Sequence, residues 1–299
     1  MHYIGIDGGG TKTLFALYDA TGTCLAQLCL PSCHYLQVGP EKMKAILECG
    51  IDALKKQTCE PVAIGLGLAG YGQNQELVQK IDEVLMLTLK EHPYVVTSDA
   101  RIALSGALHD APGMLVIAGT GSIMLATDGK KDYRVGGWGA LLGDEGSAYW
   151  LARRVLSLFT QQADGRLART PLYELIHHGE GLDQDSALIT RLKTGERERI
   201  AGFARYVYAG AKKADPYCLA LYEKAGKFLA NGLNTLSQHL SGEVIRASYA
   251  GGVFQAGAYI MEPLKKSLNC RIRLIDPLDG PAYGAYLLIK KKMEGANQK

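Results

Sequence analysis

The chain has 299 residues, 47% of them apolar and 21% charged, the balance of a globular protein long enough for two domains. Its 33 basic and 30 acidic residues leave a net charge of +3 with no basic block, which argues against a nucleic-acid partner. No apolar run approaches the ~18 residues of a membrane helix, and seven cysteines without a C-x-x-C pair point to reduced thiols in a cytoplasm.

Met1-His2-Tyr3-Ile4 already enters a strand, so the expectation is that neither a signal peptide nor a DNA-binding helix-turn-helix precedes the fold. Residues 3–7, 13–19 and 23–30 read as three successive strands joined by tight turns. Pro31 ends the third, and residues 32–40 read as a loop. Met43, Ile46, Leu47, Ile51 and Leu54 form one helical stripe. A buried strand at 62–66, a helix over 74–90, a strand at 94–97 and a short helix to His109 follow. This order predicts a mixed sheet with helices on its faces. Near Ala111-Pro112-Gly113 the pattern restarts: a strand at 114–118, a glycine–hydroxyl turn, and a returning strand at 123–127. The match is too loose to establish duplication. Helices dominate from 144 to 240, the longest carrying Leu221, Ala225, Leu229, Leu233, Leu236 and Leu240 as core. A strand at 244–250, a helix near 257–268, a strand at 271–275 and a helix from about 281 complete the reading.

The most informative stretch is Ile4-Gly5-Ile6-Asp7-Gly8-Gly9-Gly10-Thr11-Lys12-Thr13. Glycines let a strand turn approach a ligand, so that the amides at Gly9 and Gly10 converge on a phosphate. Thr11 and Thr13 add hydroxyls, Lys12 adds charge, and Asp7 is placed to hold a cation. A plain hairpin needs fewer special residues. A Walker A loop is excluded because Thr11 stands where its lysine should be. The turn Gly119-Thr120-Gly121-Ser122 is a weaker phosphate signal, and Gly251-Gly252-Val253, between a strand and a helix, is a weaker site still for a flat ring. The tract Gly136 to Trp150 joins many glycines to Trp138, Asp144 and Glu145, which suits a sugar: an indole face and carboxylate acceptors. Asp144 could equally cap a helix. Asp99, after a strand, is a candidate general base or a helix cap, with the two about even.

Two rival patterns carry less. Gly65-Leu66-Gly67-Leu68-Ala69-Gly70 fits the dinucleotide fingerprint G-x-G-x-x-G, but three strands precede it, and Asp99 lies beyond the spacing of roughly 20 residues expected of a ribose acid. Cys24, Cys29 and Cys33 come near an iron–sulfur spacing, but Cys49, the next cysteine, falls on a helix.

Residues 4–13 resemble the first phosphate motif of the actin, sugar-kinase and heat-shock-chaperone ATPase superfamily. Ile117 to Ser122 is similar to its second phosphate motif, and Tyr249 to Val253 to its adenosine motif. The tract Gly136 to Trp150 resembles the N-acetylglucosamine kinases of the BadF/BadG-type branch. The resemblance spans nearly the whole chain. It implies two ribonuclease-H-like α/β domains, mixed five-stranded sheets flanked by helices, with the active site in the cleft between them. The expected division is 1–110 and 111–299, with a helical insertion at about 144–240 and the terminal helix open to packing back on the N-terminal domain.

By the same resemblance the protein is an ATP- and Mg²⁺-dependent kinase of an amino sugar, first N-acetylglucosamine, and a cytoplasmic homodimer. Asp99 would be the base and Asp7 the metal residue. Gly9, Gly10, Thr11, Lys12, Thr13, Thr120, Gly121, Ser122, Gly251 and Gly252 would hold the nucleotide. Trp138, Gly139, Asp144 and Asp99 would meet the sugar. One departure stands out: family members carry an asparagine in the loop after the third strand, where this chain has Ser32-Cys33-His34-Tyr35. A thiol is a poor substitute for an amide. Either His34 or Tyr35 takes over from Cys33, or the sugar differs, leaving glucosamine, N-acetylmuramate and anomeric phosphorylation open. An ATP-driven activator of a dehydratase is the alternative from the same branch, opposed by the absence of cysteine between Cys59 and Cys218. A non-catalytic sugar sensor is a third reading, opposed by the presence of Asp99 and Asp7.

Overall fold

The computed structural model describes residues 1–296 except 73 and 194, and divides into two compact units, Met1–Pro112 with the segment from Asp276, and Gly113–Ile275. In the first unit, β1 (His2–Gly8), β2 (Lys12–Tyr18) and β3 (Cys24–Pro31) form an antiparallel meander. A single turn of helix, α1 (Tyr35–Val38), interrupts what the sequence reads as loop, and α2 (Pro40–Lys55) follows with Pro40 at its first position, where a missing N–H costs nothing. Then come β4 (Val62–Leu68), α3 (Gln75–Thr88), β5 (Tyr94–Ser98) and α4 (Asp99–Leu108). The sheet order is β3-β2-β1-β4-β5, with β4 and β5 parallel to β1. Ile4, Ile6, Phe15, Leu17, Leu47, Ile64 and Leu66 fill the core on the α2–α3 face. Every second residue of a strand faces that way, so the apolar alternation sets the burial.

The second unit repeats this topology. Strands β6 (Gly113–Ala118), β7 (Ser122–Thr127) and β8 (Asp132–Gly136) form the meander. The helices then described are α5 (Gly139–Leu142), α6 (Ala148–Ala163), α7 (Pro171–Gly179), α8 (Ala187–Leu192), α9 (Arg197–Ala201), α10 (Ala204–Lys212), α11 (Pro216–Leu236) and, after β9 (Ile245–Ala250), α12 (Ala258–Ser267). With β10 (Ile272–Leu274) the order is β10-β9-β6-β7-β8, and β9 and β10 run parallel to β6, strand for strand the arrangement of the first sheet. The loose sequence repeat is therefore a repeat of architecture. Strand β8 has no counterpart in the sequence reading because its half-exposed Asp-Tyr-Arg-Val-Gly lacks an apolar run. The Asp128-Gly129 pair before it was the available hairpin signal.

The terminal helix α13 (Pro281–Ala296) belongs to the first unit; the sequence reading counted it within 111–299 but left it open to packing back on the N-terminal domain. It docks by backbone approach. Gly5 and Gly65 are register partners on β1 and β4, and a Cβ on either would enter the Ala282 or Ala285 carbonyl of α13. Gly284 in turn lies against the Ile102 carbonyl of α4. Tyr3 and Tyr18 close this seam on Tyr286, with ring centroids 5.4 and 5.0 Å from it. The first two glycines of the apparent dinucleotide fingerprint are thereby assigned to packing: Gly65 meets α13 and Gly67 meets the Ile102 side chain. Gly284→Ala is expected to cost about 3 kcal/mol by overpacking, read by urea unfolding. Gly295→Ala, in the same helix and in open space, is expected to be neutral or slightly stabilising. Equal behaviour of the two variants would show that the seam tolerates a side chain.

Candidate active site

In the first unit the site forms where β1, β4 and β5 end. Asp7 is in register with Gly67, and Gly67 with Thr97, two residues before Asp99. Capping does not explain Asp99: Ser98 is the N-cap of α4, its hydroxyl accepting from the Arg101 amide at 3.2 Å. Asp99 accepts the Ala100 amide at 2.8 Å. Burial raises its carboxyl above the usual range, against the lowering effect of that amide and of His34 nearby. Burial also pushes Asp7 up to about 6, with the negative charge of Asp99 adding to it and Lys12 opposing. Two half-buried carboxylates thus press on each other beside a glycine turn.

That turn is a four-residue hairpin closed by the Gly9 amide on the Lys12 carbonyl at 3.1 Å. Among the described residues, the Gly10 and Thr11 amides have no protein acceptor, and both residues are exposed. Thr13 does not belong with them. It is fully buried, its hydroxyl donating to the Pro31 carbonyl and accepting from the Cys33 amide, both at 3.0 Å. The reason is strand alternation: past the turn, Thr13 pairs with Gly8 and points inward as a staple between β2 and the loop after β3.

Cys33 is also corrected. Its thiol is 1% exposed and packs in the core behind Gly8, raised in pKa by burial. Tyr35 lies with its ring against the same core. His34 is the member of this loop left at the site: its ring stands beside Gly70, and its Nδ1 is buried without a hydrogen-bond partner. An orphaned buried nitrogen is a place for a ligand hydroxyl.

In the second unit the turn Gly119–Ser122 is shaped by the tract that follows it. Asp144 is 3% exposed and sits in the left-handed region at φ 61°, a conformation a short polar side chain tolerates. One oxygen accepts the Ser122 amide at 3.2 Å and the other accepts from Arg197. The cap of α6 is Ser147, whose hydroxyl accepts the Trp150 amide at 3.1 Å, so Asp144 is no cap. Ser122 is itself occupied, its hydroxyl donating to the Glu145 carbonyl at 2.8 Å. A nucleotide contact through that side chain is thus replaced by a structural one. The Thr120 and Gly121 amides have no protein acceptor among the described residues.

Gly251 (φ 107°) is pressed against the Ala118 carbonyl, which ties the adenosine motif to the end of β6; it is a packing glycine, whereas Gly252 faces open space. Trp138 is 66% exposed, with the Arg134 guanidinium 5.2 Å from its ring centre, and Gly139 beside it is open at φ 79°. Arg197 escaped the sequence reading, because no local motif links it to a carboxylate 53 residues earlier.

Two sheets of one topology, each with a glycine turn between its first two strands, define the class of two-domain ATPases that includes actin, sugar kinases and heat-shock chaperones. The chain belongs to the BadF/BadG/BcrA/BcrD ATPase family, whose model matches residues 4–288. It is 26% identical to an N-acetylmuramic acid/N-acetylglucosamine kinase of Clostridium acetobutylicum, covering 98% of this chain and 99% of that one. It is 27% identical to the N-acetyl-D-glucosamine kinase of Dictyostelium discoideum, over 96% and 97% of the two chains. A solved structure from Chromobacterium violaceum, assigned as an N-acetylglucosamine kinase, is 28% identical and superposes with a TM-score of 0.77 over 97% of this chain and 98% of that one.

Proposed function

We propose that the chain is an ATP-dependent kinase of amino sugars, with N-acetylglucosamine as its first substrate. The observation that carries the reading is Asp99, a half-buried carboxylate at a strand end, relieved of capping by Ser98 and set beside Asp7 and an open glycine turn. A carboxylate of raised pKa is a better base than an exposed one, suited to take the proton of an attacking sugar hydroxyl. The family and the named relatives supply the donor and the class of acceptor.

Asp7 would hold Mg²⁺. Among the described residues no cluster of three or more ligating side chains exists. Mg²⁺ carried on phosphates needs only one or two carboxylates, and two half-buried carboxylates in mutual repulsion fit a divalent cation. When bound, the ion would neutralise charge on the transferred phosphoryl group. The amides of Gly10 and Thr11 with Lys12, and those of Thr120 and Gly121, would bind phosphate oxygens, and Gly252 would flank adenine. Trp138 and Gly139 would contact the sugar, and His34 would take over from Cys33. With little covalent work to do, these residues act by positioning and charge stabilisation.

A second acceptor, N-acetylmuramate or glucosamine, is favoured by one observation: the Cys33 side chain lies in the core, where the resemblance expects an amide on the sugar. A panel of amino sugars with ATP and Mg²⁺, with the phosphorylated carbon assigned by NMR, tests both. Turnover of N-acetylglucosamine supports the first reading, preference for another amino sugar the second, and ATP consumption with none of them ends the proposal. Within it, Trp138→Ala is expected to raise the sugar KM roughly 5–10-fold, as loss of a stacked ring does, with the ATP KM little changed. An equal rise in both would assign the tract to general shaping of the site.

A further inference from the structure

We propose that Arg197, carried by the helical insertion, is a nucleotide-binding side chain that donates to the phosphate chain at the turn Gly119–Ser122. The inference rests on the reading of that turn as a phosphate site and adds a cation to it that no motif announces.

The geometry has three parts. The Arg197 side chain is half exposed, while the carboxylate it grips, Asp144, is 3% exposed. It is therefore anchored at one end through Nη2 and open at the other, with most of its five N–H donors unused by Asp144. The guanidinium lies directly against the turn: a Cβ on Gly121 would enter Arg197 and come within 2.9 Å of Asp144 Oδ2. Beside it, the Thr120 and Gly121 amides have no protein acceptor among the described residues.

Asp144 explains why a cation is required. It holds the turn through the Ser122 amide, which puts a buried negative charge next to amides that would receive a polyanion. Alone, that charge would repel phosphate. Paired with Arg197, it becomes the anchor of a guanidinium whose planar fork suits phosphate oxygens. Asp144 is thus a positioning residue for Arg197 as well as a clamp on the turn. Arrival of the nucleotide would then be felt by α9, so the insertion is coupled to the occupancy of the phosphate site.

The test is calorimetric binding of a non-hydrolysable ATP analogue and of adenosine to the wild type, Arg197→Gln, Arg197→Ala and Gly121→Ala, with a thermal melt of each. Both Arg197 variants should weaken the analogue roughly 10–100-fold, as loss of a charge-assisted hydrogen bond does, while adenosine affinity stays near wild type; the melt should fall, because Asp144 is left buried without its cation. Guanidinium ion at millimolar concentration should restore part of the loss in Arg197→Ala. If Gly121→Ala weakens the analogue and the Arg197 variants do not, the turn remains a phosphate site and the role of Arg197 is overturned. If none of the variants affects the analogue, the reading of the turn falls and the inference with it. If the Arg197 variants weaken the analogue and adenosine alike, Arg197 is a structural brace, which also overturns the proposal.

Discussion

Asparagine in place of Asp99 is expected to lower kcat by roughly 10²–10⁴-fold, the usual worth of a general base, while leaving both KM values close to wild type. The substitution is nearly isosteric, and the amide oxygen can still accept from the Ala100 N–H that the carboxylate now holds at 2.8 Å. What disappears is the capacity to take a proton, a capacity used only in the transition state, so kcat and kcat/KM should fall together. The wild type should lose activity as pH falls through the raised pKa of this group, because the protonated acid cannot act as base. Ser98→Ala is the control. It removes the helix cap, at about 1 kcal/mol of stability, but leaves the carboxylate in place, so turnover should survive. Initial-rate kinetics on both proteins decide the matter: near-normal turnover in Asp99→Asn would remove Asp99 from the chemistry.

Asp7→Asn should separate stability from activity in opposite directions. The Asp7 carboxyl is pushed up to about 6 in the folded chain from an ordinary value of 3.8, chiefly by burial and then by Asp99. Because the folded value lies above the unfolded one, its stabilising contribution is fully present below about pH 3.8 and is lost as pH rises through 6. At pH 8 the unliganded fold therefore carries a penalty of about 1–3 kcal/mol, at 1.36 per pKa unit and allowing for residual solvent. The asparagine variant should melt above the wild type at pH 8, and the gap should close towards pH 4. Activity should fall roughly 10²–10³-fold, as for removal of one charge-stabilising group, and Mg–ATP should stabilise the variant less than the wild type. A variant that melts below the wild type at pH 8 would mean that the carboxylate is a structural asset, contrary to the metal role proposed for it. Strain of this kind at a site is the usual trade of stability for function.

The two glycine turns show how far local reading carries. Residues 4–13 and 119–122 are recognisable because a strand, a glycine turn and a returning strand are local objects, determined by residues adjacent in the chain. Which hydroxyls reach solvent is not local. Thr13 and Ser122 each stand near the start of a returning strand, where side chains alternate between faces, and both are consumed inside. Cys33 is similar: a loop position in sequence, a core thiol in the fold, leaving His34 with the orphaned nitrogen. Asp99 and Asp144 each looked like possible caps, and in each case a serine, Ser98 or Ser147, does the capping. Those serines were visible in the sequence, but which of two neighbouring polar residues begins a helix depends on backbone angles.

By itself the sequence determined the α/β class and, among the described residues, every strand but β8, because apolar periodicity and glycine turns are properties of short stretches. Its motifs resembled the family, and α1 and the helices α5 to α10 were legible at most as a helical region. Only the tertiary structure decided that the last helix returns to the first sheet, since its docking depends on glycines at 5, 65 and 284 that are far apart in the chain and meet only when folded. It also decided that Asp144 is gripped by Arg197, a pairing across 53 residues through an insertion whose path no periodicity encodes. Short-range order follows from neighbouring residues, whereas the partners of a buried charge follow from where the whole chain can afford to leave it.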